Sequence, residues 1–200
     1  EGKVEFWVKT KEAVGGGTNA GGNSILKDTV SLSDSEKTFE IKMNSLTELL
    51  QKVLYQDEVF GNEGPVPPKA GQTSTFTVWW QVNNKLNTLK NAKVKMVLPV
   101  NVKPTGEFFP ESSKFTYDSD SKEVVWNIGN IESNRQAPLS LHFQIEFTPS
   151  MSQQGKTPNL VGSAELTAQD SFTDDIIQRT AEPVNTLLPD DQTSSGGPVQ

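Results

Sequence analysis

The sequence contains no cysteine and a single histidine, His142. Thiolate nucleophiles, thiolate zinc sites and catalytic triads built around histidine therefore lack most of their parts. Enzymes of these classes are nearly excluded. The absence of cysteine does not fix the compartment, because disulfides mark an oxidising environment only where cysteines are present.

Positive charge is also scarce, since 18 lysines and arginines face 25 acidic residues and leave a net charge of -7. A chain without a basic field cannot neutralise phosphates, so we expect no nucleic-acid partner. No apolar run approaches the roughly 18 residues of a membrane span, and the first residues lack the pattern of a signal peptide. The composition predicts a soluble, acidic stretch of a mature protein or a fragment of one.

Apolar residues alternate with polar ones along most of the chain. The clearest run is LSLHFQIEF at residues 139–147, and similar runs cover residues 76–82, 94–98 and 124–128. Alternation of this kind is typical of half-buried strands, and turn residues between the runs favour an antiparallel β-sandwich. Residues 45–56 fit an amphipathic helical turn about as well as a strand.

Glycine and proline divide the chain. Residues 61–71 form a Pro/Gly-rich hinge, and the polar residues 190–200 are predicted to be a flexible tail. The two parts also resemble each other, because HFQIE at 142–146 aligns with EFWVK at 5–9, 137 residues earlier. We therefore interpret residues 1–60 as a partial β-rich repeat and residues 64–189 as one complete domain.

Six short motifs in residues 64–189 resemble the conserved-repeat immunoglobulin-like domains of bacterial cell-surface and secreted proteins. They are GPVPPKAG at 64–71, TFTVWWQVN at 75–83, KVKMVLPV at 93–100, YDSDSKEVVWNIG at 117–129, FTPS at 147–150 and AQDSFT at 168–173. The resemblance implies an immunoglobulin-like sandwich that acts outside the cell, in series, without catalysis. It supplies no catalytic residues, and residues 1–60 depart from it because they match only the last strands of such a domain.

Four residues in the inward phase of their strands are the expected core anchors: Trp80, Trp126, Phe143 and Ile145. Trp7 and Trp79 fall in the polar phase instead, so they are the candidates for contact with a ligand or partner. Exposed indoles are platforms for sugar rings or for another protein surface. The alternative is that an adjoining domain or a loop covers each of them.

Other chemistries have weaker support. His142 lies on the polar face of its strand and is expected to be a solvated surface residue. Asp118 with Asp120, and Asp174 with Asp175, could offer oxygen ligands to calcium but miss the loop pattern of a calcium site, so turn formation is the better interpretation. Nothing in the sequence positions an acid pair for glycoside cleavage.

An internal amide between lysine and asparagine is a further possibility in surface sandwiches, and it would lower the mass by one ammonia. Lys93 and Lys95 do not favour it, because both fall opposite in phase to the apolar residues of their strand.

The partial repeat leaves two possibilities open. Either residues 1–60 belong to a longer tandem array, or they complete a sheet in a neighbouring subunit by strand addition and make the chain a filament subunit. In both cases the sequence predicts a non-enzymatic structural or adhesive module, extracellular or on the cell surface. Its expected partners are neighbouring repeats or identical subunits. A carbohydrate- or protein-binding module that uses the exposed tryptophans, with glycan or cell-wall material as ligand, is the alternative.

Overall fold

The computed structural model describes residue 23 and residues 25–32, 35–133 and 135–200. Thirteen strands lie in this part of the chain, with a short 3-10 turn at Met151–Gln153 after the ninth. In chain order the strands are β1 (Ile25–Leu32), β2 (Ser35–Lys42), β3 (Leu46–Leu54), β4 (Ser74–Lys85), β5 (Leu89–Val97), β6 (Val102–Phe109), β7 (Lys114–Asp118), β8 (Glu123–Ile131), β9 (Leu139–Phe147), β10 (Asn159–Val161), β11 (Ala164–Asp170), β12 (Ile176–Ala181) and β13 (Val184–Asn185).

Two antiparallel sheets face each other and form a sandwich. The four-stranded sheet has the order β3-β4-β9-β6, and the five-stranded sheet has the order β12-β11-β5-β8-β7. If β3, β4, β5, β6, β9, β11 and β12 are lettered A to G, the sheets contain A-B-E-D and G-F-C, which is the arrangement of an immunoglobulin domain. The β7–β8 hairpin is an insertion that extends the second sheet beside β5. The predicted immunoglobulin-like, all-β fold is confirmed.

The helical alternative for residues 45–56 is wrong. β3 is a nine-residue strand that pairs with β4 along its whole length, from Leu46 opposite Lys85 to Leu54 opposite Thr77. The alternation is hidden in the sequence because two of the inward residues, Thr47 and Gln51, are polar. Their hydrogen bonds are made inside the sandwich, so burial does not require an apolar side chain there.

Large side chains from both sheets fill the space between them. Trp80, Phe143 and Ile145 are fully buried, and Trp126 is 4% exposed. The rings of Trp80 and Phe143 meet edge to face with centroids 5.0 Å apart, a favourable geometry for aromatic pairs.

Gln51 ties the two layers together beneath this aromatic pair. The Trp80 indole N–H donates to Gln51 Oε1 at 2.7 Å, and the Gln51 amide donates to the carbonyls of Gly162 and Glu182, both at 2.9 Å. The last two groups flank the strands of the opposite side of the sandwich. One glutamine therefore satisfies a buried donor and two carbonyls from distant parts of the chain.

The expected domain limits do not coincide with the sheets. β3 precedes residue 60 yet shares a sheet with β4, and the residues of the expected hinge pack on the sandwich, with Pro68 buried. The expected flexible tail is also packed: Val199 is 2% exposed, its N–H donates to Lys156, and the N–H of Gln200 donates to Pro68. Backbone pairing and apolar burial hold these residues in place. Whether a repeat precedes the domain stays a prediction, because Trp7 and most of residues 1–24 lie outside the described residues.

Replacement of Gln51 by leucine should destabilise the domain by about 2 to 3 kcal/mol, because the Trp80 N–H and two carbonyls lose their partner in the interior. Urea unfolding followed by tryptophan fluorescence measures the change. Gln81→Leu is the matched control, since Gln81 lies on the outward face of the neighbouring strand and should change stability by no more than about 0.5 kcal/mol. Equal effects of the two substitutions would contradict the role given to Gln51.

Candidate functional site

Trp79 lies on the outward face of the four-stranded sheet, in a row of side chains that crosses all four strands. Strand register places Lys52, Trp79, His142 and Phe109 side by side. The ammonium of Lys52 is 5.2 Å from the Trp79 ring centroid, and the imidazole of His142 stacks on the indole at 5.6 Å with 17° between the planes. We call these four residues the outer row.

His142 is not the solvated surface residue that the sequence predicts. Its side chain is 19% exposed, and Nδ1 lies 3.2 Å from Oδ2 of Asp57, whose side chain is only 3% exposed. The segment that follows β3 folds over the sheet and brings Asp57 to this place. Asn62 holds that segment down by donating to the Tyr55 carbonyl and to Thr77 Oγ1.

This packing changes what Trp79 can offer to a ligand. The indole is half-buried and its Nε1 is buried with no hydrogen-bond partner. A stacked imidazole and a lysine ammonium already take up much of its aromatic surface. Phe109, which is 52% exposed, is the open end of the outer row.

One acid of each pair in the turns accepts hydrogen bonds from protein groups. Asp118 Oδ1 accepts hydrogen bonds from the backbone N–H groups of Asp120 and Ser121, which lowers the pKa of the Asp118 carboxyl. Asp175 Oδ2 accepts a hydrogen bond from the side chain of Asn44. In the part of the chain that the structure describes, no group of three or more histidine, aspartate or glutamate side chains could hold a metal ion.

Each end of the sandwich contains a buried aspartate that accepts several hydrogen bonds. We call the end at Ser45, Asn87 and Asp170 the N-pole, because the chain enters β3 there. The opposite end, at Tyr55, Asp191 and the last residues, is the C-pole. Sequence reasoning identified neither of the two aspartates.

Asp170 organises the N-pole. It is fully buried, and its Oδ2 accepts a hydrogen bond from the backbone N–H of Ser45 at 2.8 Å and from the Asn87 amide at 2.9 Å. Its Oδ1 accepts from the backbone of Phe172 and Thr173 in the turn that follows. Asp170 thereby fixes the residue immediately before β3.

Asp191 organises the C-pole in the same manner. Its Oδ2 accepts from the backbone N–H groups of Tyr55 and Gln56 at 2.7 and 3.1 Å, and Oδ1 accepts from the backbone of Thr193 and Ser194. β3 therefore has an aspartate at each end, and both come from the last part of the chain. A sequence signal exists, because both aspartates begin a turn that ends in serine or threonine, in DSFT and DQTS.

Both carboxyl groups are held in the ionised form. Burial alone would raise the pKa of Asp170, but hydrogen bonds from Asn87 and from the backbone of Phe172 and Ser45 outweigh it and lower the pKa to about 2. Burial acts in the same direction on Asp191, and the donors from Gln56, Tyr55 and Thr193 lower its pKa to about 2. Charge-assisted hydrogen bonds of this type are stronger than neutral ones.

The positions of the lysine side chains bear on the internal amide that the sequence left possible. No lysine side chain is buried anywhere in residues 25–32, 35–133 and 135–200, so an internal amide has no lysine inside the core of this region. None of the residues that the structure describes lies in a helix long and apolar enough to cross a membrane.

Asp170→Asn and Asp191→Asn should each remove about 2 kcal/mol of stability at neutral pH, because an amide nitrogen then faces backbone N–H donors. The folded pKa of each aspartate lies below its ordinary value of 3.8, so this stabilisation is present above about pH 4 and is lost as the pH falls towards 2. Urea unfolding at pH 7 and pH 3 measures both effects.

The wild-type protein should lose stability between these two pH values, and each asparagine variant should lose less. Asp174→Asn is the matched control, because Asp174 is exposed and lies in the turn next to Asp170. If that control matched either buried variant, the stabilisation would belong to net charge rather than to the two buried carboxylates.

Comparison with known proteins finds no matching protein-family model and no matching curated protein. Among solved structures, BcpA, the major pilin subunit of Bacillus cereus, is similar with a TM-score of 0.45 and 9% identity, over 78% of this chain and 50% of that chain. The full-length major pilin SpaD from Corynebacterium diphtheriae is similar with a TM-score of 0.40 and 15% identity, over 70% and 34%.

A third similar structure, the RrgA Jo.In complex, has a TM-score of 0.42 and 9% identity, over 79% of this chain and 94% of that chain. The chain spans half or less of the length of the two pilins. These similarities concern the β-architecture, and the resemblance of the sequence to the conserved-repeat family stays a prediction.

Proposed function

We propose that this chain is a non-catalytic β-sandwich module of an extracellular or cell-surface bacterial protein, and that it acts as a structural link between neighbouring modules or identical subunits. The observation that carries the proposal is the position of the two poles. The residues before β3 reach the sandwich at the N-pole, and residues 197–200 pack at the C-pole. A module of this kind extends an array along its long axis.

The length of the module supports this proposal. β4 runs from one pole to the other with 12 residues, which corresponds to about 40 Å at roughly 3.3 Å per residue. The first strand of the sandwich, β3, lies along this axis and is fastened at both ends by Asp170 and Asp191. Tension between the poles therefore acts along the strand that the two carboxylates hold.

Tension in this direction is the kind that paired β-strands resist best. Pulling the N-pole away from the C-pole slides β3 along β4, and hydrogen bonds between antiparallel strands are perpendicular to that movement. All the bonds of the pair are loaded together. Pulling both strands apart at one pole would instead break the bonds one after another.

Single-molecule pulling with cysteine handles tests the proposal, and the absence of native cysteine makes the attachment specific. We expect a higher unfolding force for the Ile41→Cys/Gln200→Cys pair, which loads the module from pole to pole, than for Ile41→Cys/Lys85→Cys, which loads β3 and β4 at one pole. Asp170→Asn should lower the first force. Equal forces for the two handle pairs would contradict a load-bearing role.

We propose the outer row as the contact surface if the module is also adhesive. The exposed ring of Phe109 continues the aromatic surface of Trp79 and His142, and such a surface can stack on sugar rings or on another protein. Because Trp79 is half-buried, most of the aromatic surface that a sugar or a protein can contact should come from Phe109.

Retention on insoluble cell-wall glycan measures this second role. Phe109→Ala should reduce retention at least as much as Trp79→Ala. The exposed Phe109 ring should be lost with little change in melting temperature, whereas loss of the packed Trp79 ring should lower it. Val100→Ala is the control, because Val100 is exposed but lies outside the outer row. If both outer-row variants were retained like the wild type, the adhesive role would be excluded and only the structural role would remain.

A further inference from the structure

β7 is an edge strand with a free side. It pairs with β8 over its whole length, from Lys114 opposite Asn127 to Asp118 opposite Glu123, and no strand of the described part of the chain pairs with its other side. Lys114, Thr116 and Asp118 point outward and are exposed, whereas the rings of Phe115 and Tyr117 are half-buried. A free edge presents unpaired backbone N–H and carbonyl groups to another strand.

The other edges of the two sheets are less open. On one side of the sandwich β12 and β3 lie next to each other, and Arg179 Nε donates to the Thr47 carbonyl at 2.8 Å. On the other side β6 contains Pro104, which has no N–H, and its register with β9 shifts between Pro104 and Phe108. Unlike β6, β7 contains no proline and pairs with its neighbour without a register shift.

The sequence of β7 is complementary to itself. It reads Lys-Phe-Thr-Tyr-Asp. If two copies pair antiparallel around Thr116, Lys114 of each copy lies opposite the partner's Asp118, and Phe115 lies opposite the partner's Tyr117. Opposite charges on one face and aromatic pairs on the other are both favourable across antiparallel strands. The central pair is Thr116 with itself.

The charges around β7 are unbalanced within one chain. Asp118 and Glu123 lie directly opposite each other, which is unfavourable for two acids on adjacent strands. Neither makes an ion pair with the described residues, and Lys114 at the other end of the strand makes none either. A second copy would bring its Lys114 to Asp118, whose Oδ1 accepts the backbone hydrogen bonds of the turn.

We propose that two copies of this chain associate through β7, in antiparallel register centred on Thr116. The pairing joins the two five-stranded sheets into one ten-stranded sheet and creates a two-fold axis at Thr116. Because β7 lies roughly along the axis between the poles, the two modules lie side by side with their poles reversed. The contact is short, with five residues on each side, so it belongs among weak interfaces.

Charge exchange tests the proposed register. In sedimentation equilibrium of the full 200-residue chain, Lys114→Glu and Asp118→Lys should each weaken self-association about tenfold or more, because each places like charges opposite each other twice. An equimolar mixture of the two variants should associate again, since both opposing pairs are then Glu with Lys or Lys with Asp. Failure of the mixture to associate while the wild type does so would overturn the register.

A disulfide trap provides a second measurement that does not depend on Asp118 and its turn. Thr116→Cys places the only thiols of the dimer opposite each other on the two-fold axis, at a separation that antiparallel strands and disulfides share. Under mild oxidation we expect covalent dimers from this variant and none from Thr38→Cys, an exposed control on the β1–β2 hairpin.

The outcomes separate clearly. A mass that saturates at two copies, with cross-linking at residue 116, supports the proposal. A wild-type chain that stays monomeric at every concentration overturns it. Masses that grow without limit, with cross-linking at residue 38 instead, also overturn it and point to strand addition through the hairpin.

Discussion

The fastening of β3 at both ends is the interaction on which the arrangement of the domain depends. An outer strand of a sandwich has a neighbour on one side only, so its ends fray unless other groups hold them. Here the residue before β3 and the two residues after it donate their backbone N–H groups to Asp170 and Asp191. The two carboxylates join the first strand of the sandwich to its last turns.

The sequence predicts a strand correctly where its apolar side chains are buried and its polar side chains are exposed. β4, β5, β8 and β9 bury apolar side chains and expose polar ones, so alternation identifies them. β3 does not follow this rule, because the inward positions of Thr47 and Gln51 are polar and satisfied by hydrogen bonds. The apolar Leu46 and Leu50 of the same strand point outward, with 54% and 39% exposure. Because these two leucines are four residues apart and the inward residues are polar, the pattern resembles that of an amphipathic helix.

The functional surfaces are harder to predict because they arise from distant contacts. The sequence of β4 shows that Trp79 lies on the polar side of its strand. It does not show that His142 and Asp57 cover the indole, because Asp57 is 85 residues away from that histidine. Asp191 lies in a segment with the composition of a flexible tail, and only its contact with Tyr55 shows its role. Local periodicity carries no information about such pairings.

The position of the two aspartates in the chain has a consequence for folding. The hydrogen bonds that fasten β3 span 125 and 136 residues of sequence. β3 and β4 can pair as soon as both have left the ribosome, but the ends of β3 stay free until the last turns of the module have been synthesised. Contacts of such long range slow folding, so completion of the sandwich depends on its final residues. A nascent module therefore stays incompletely folded until its last turns have been synthesised.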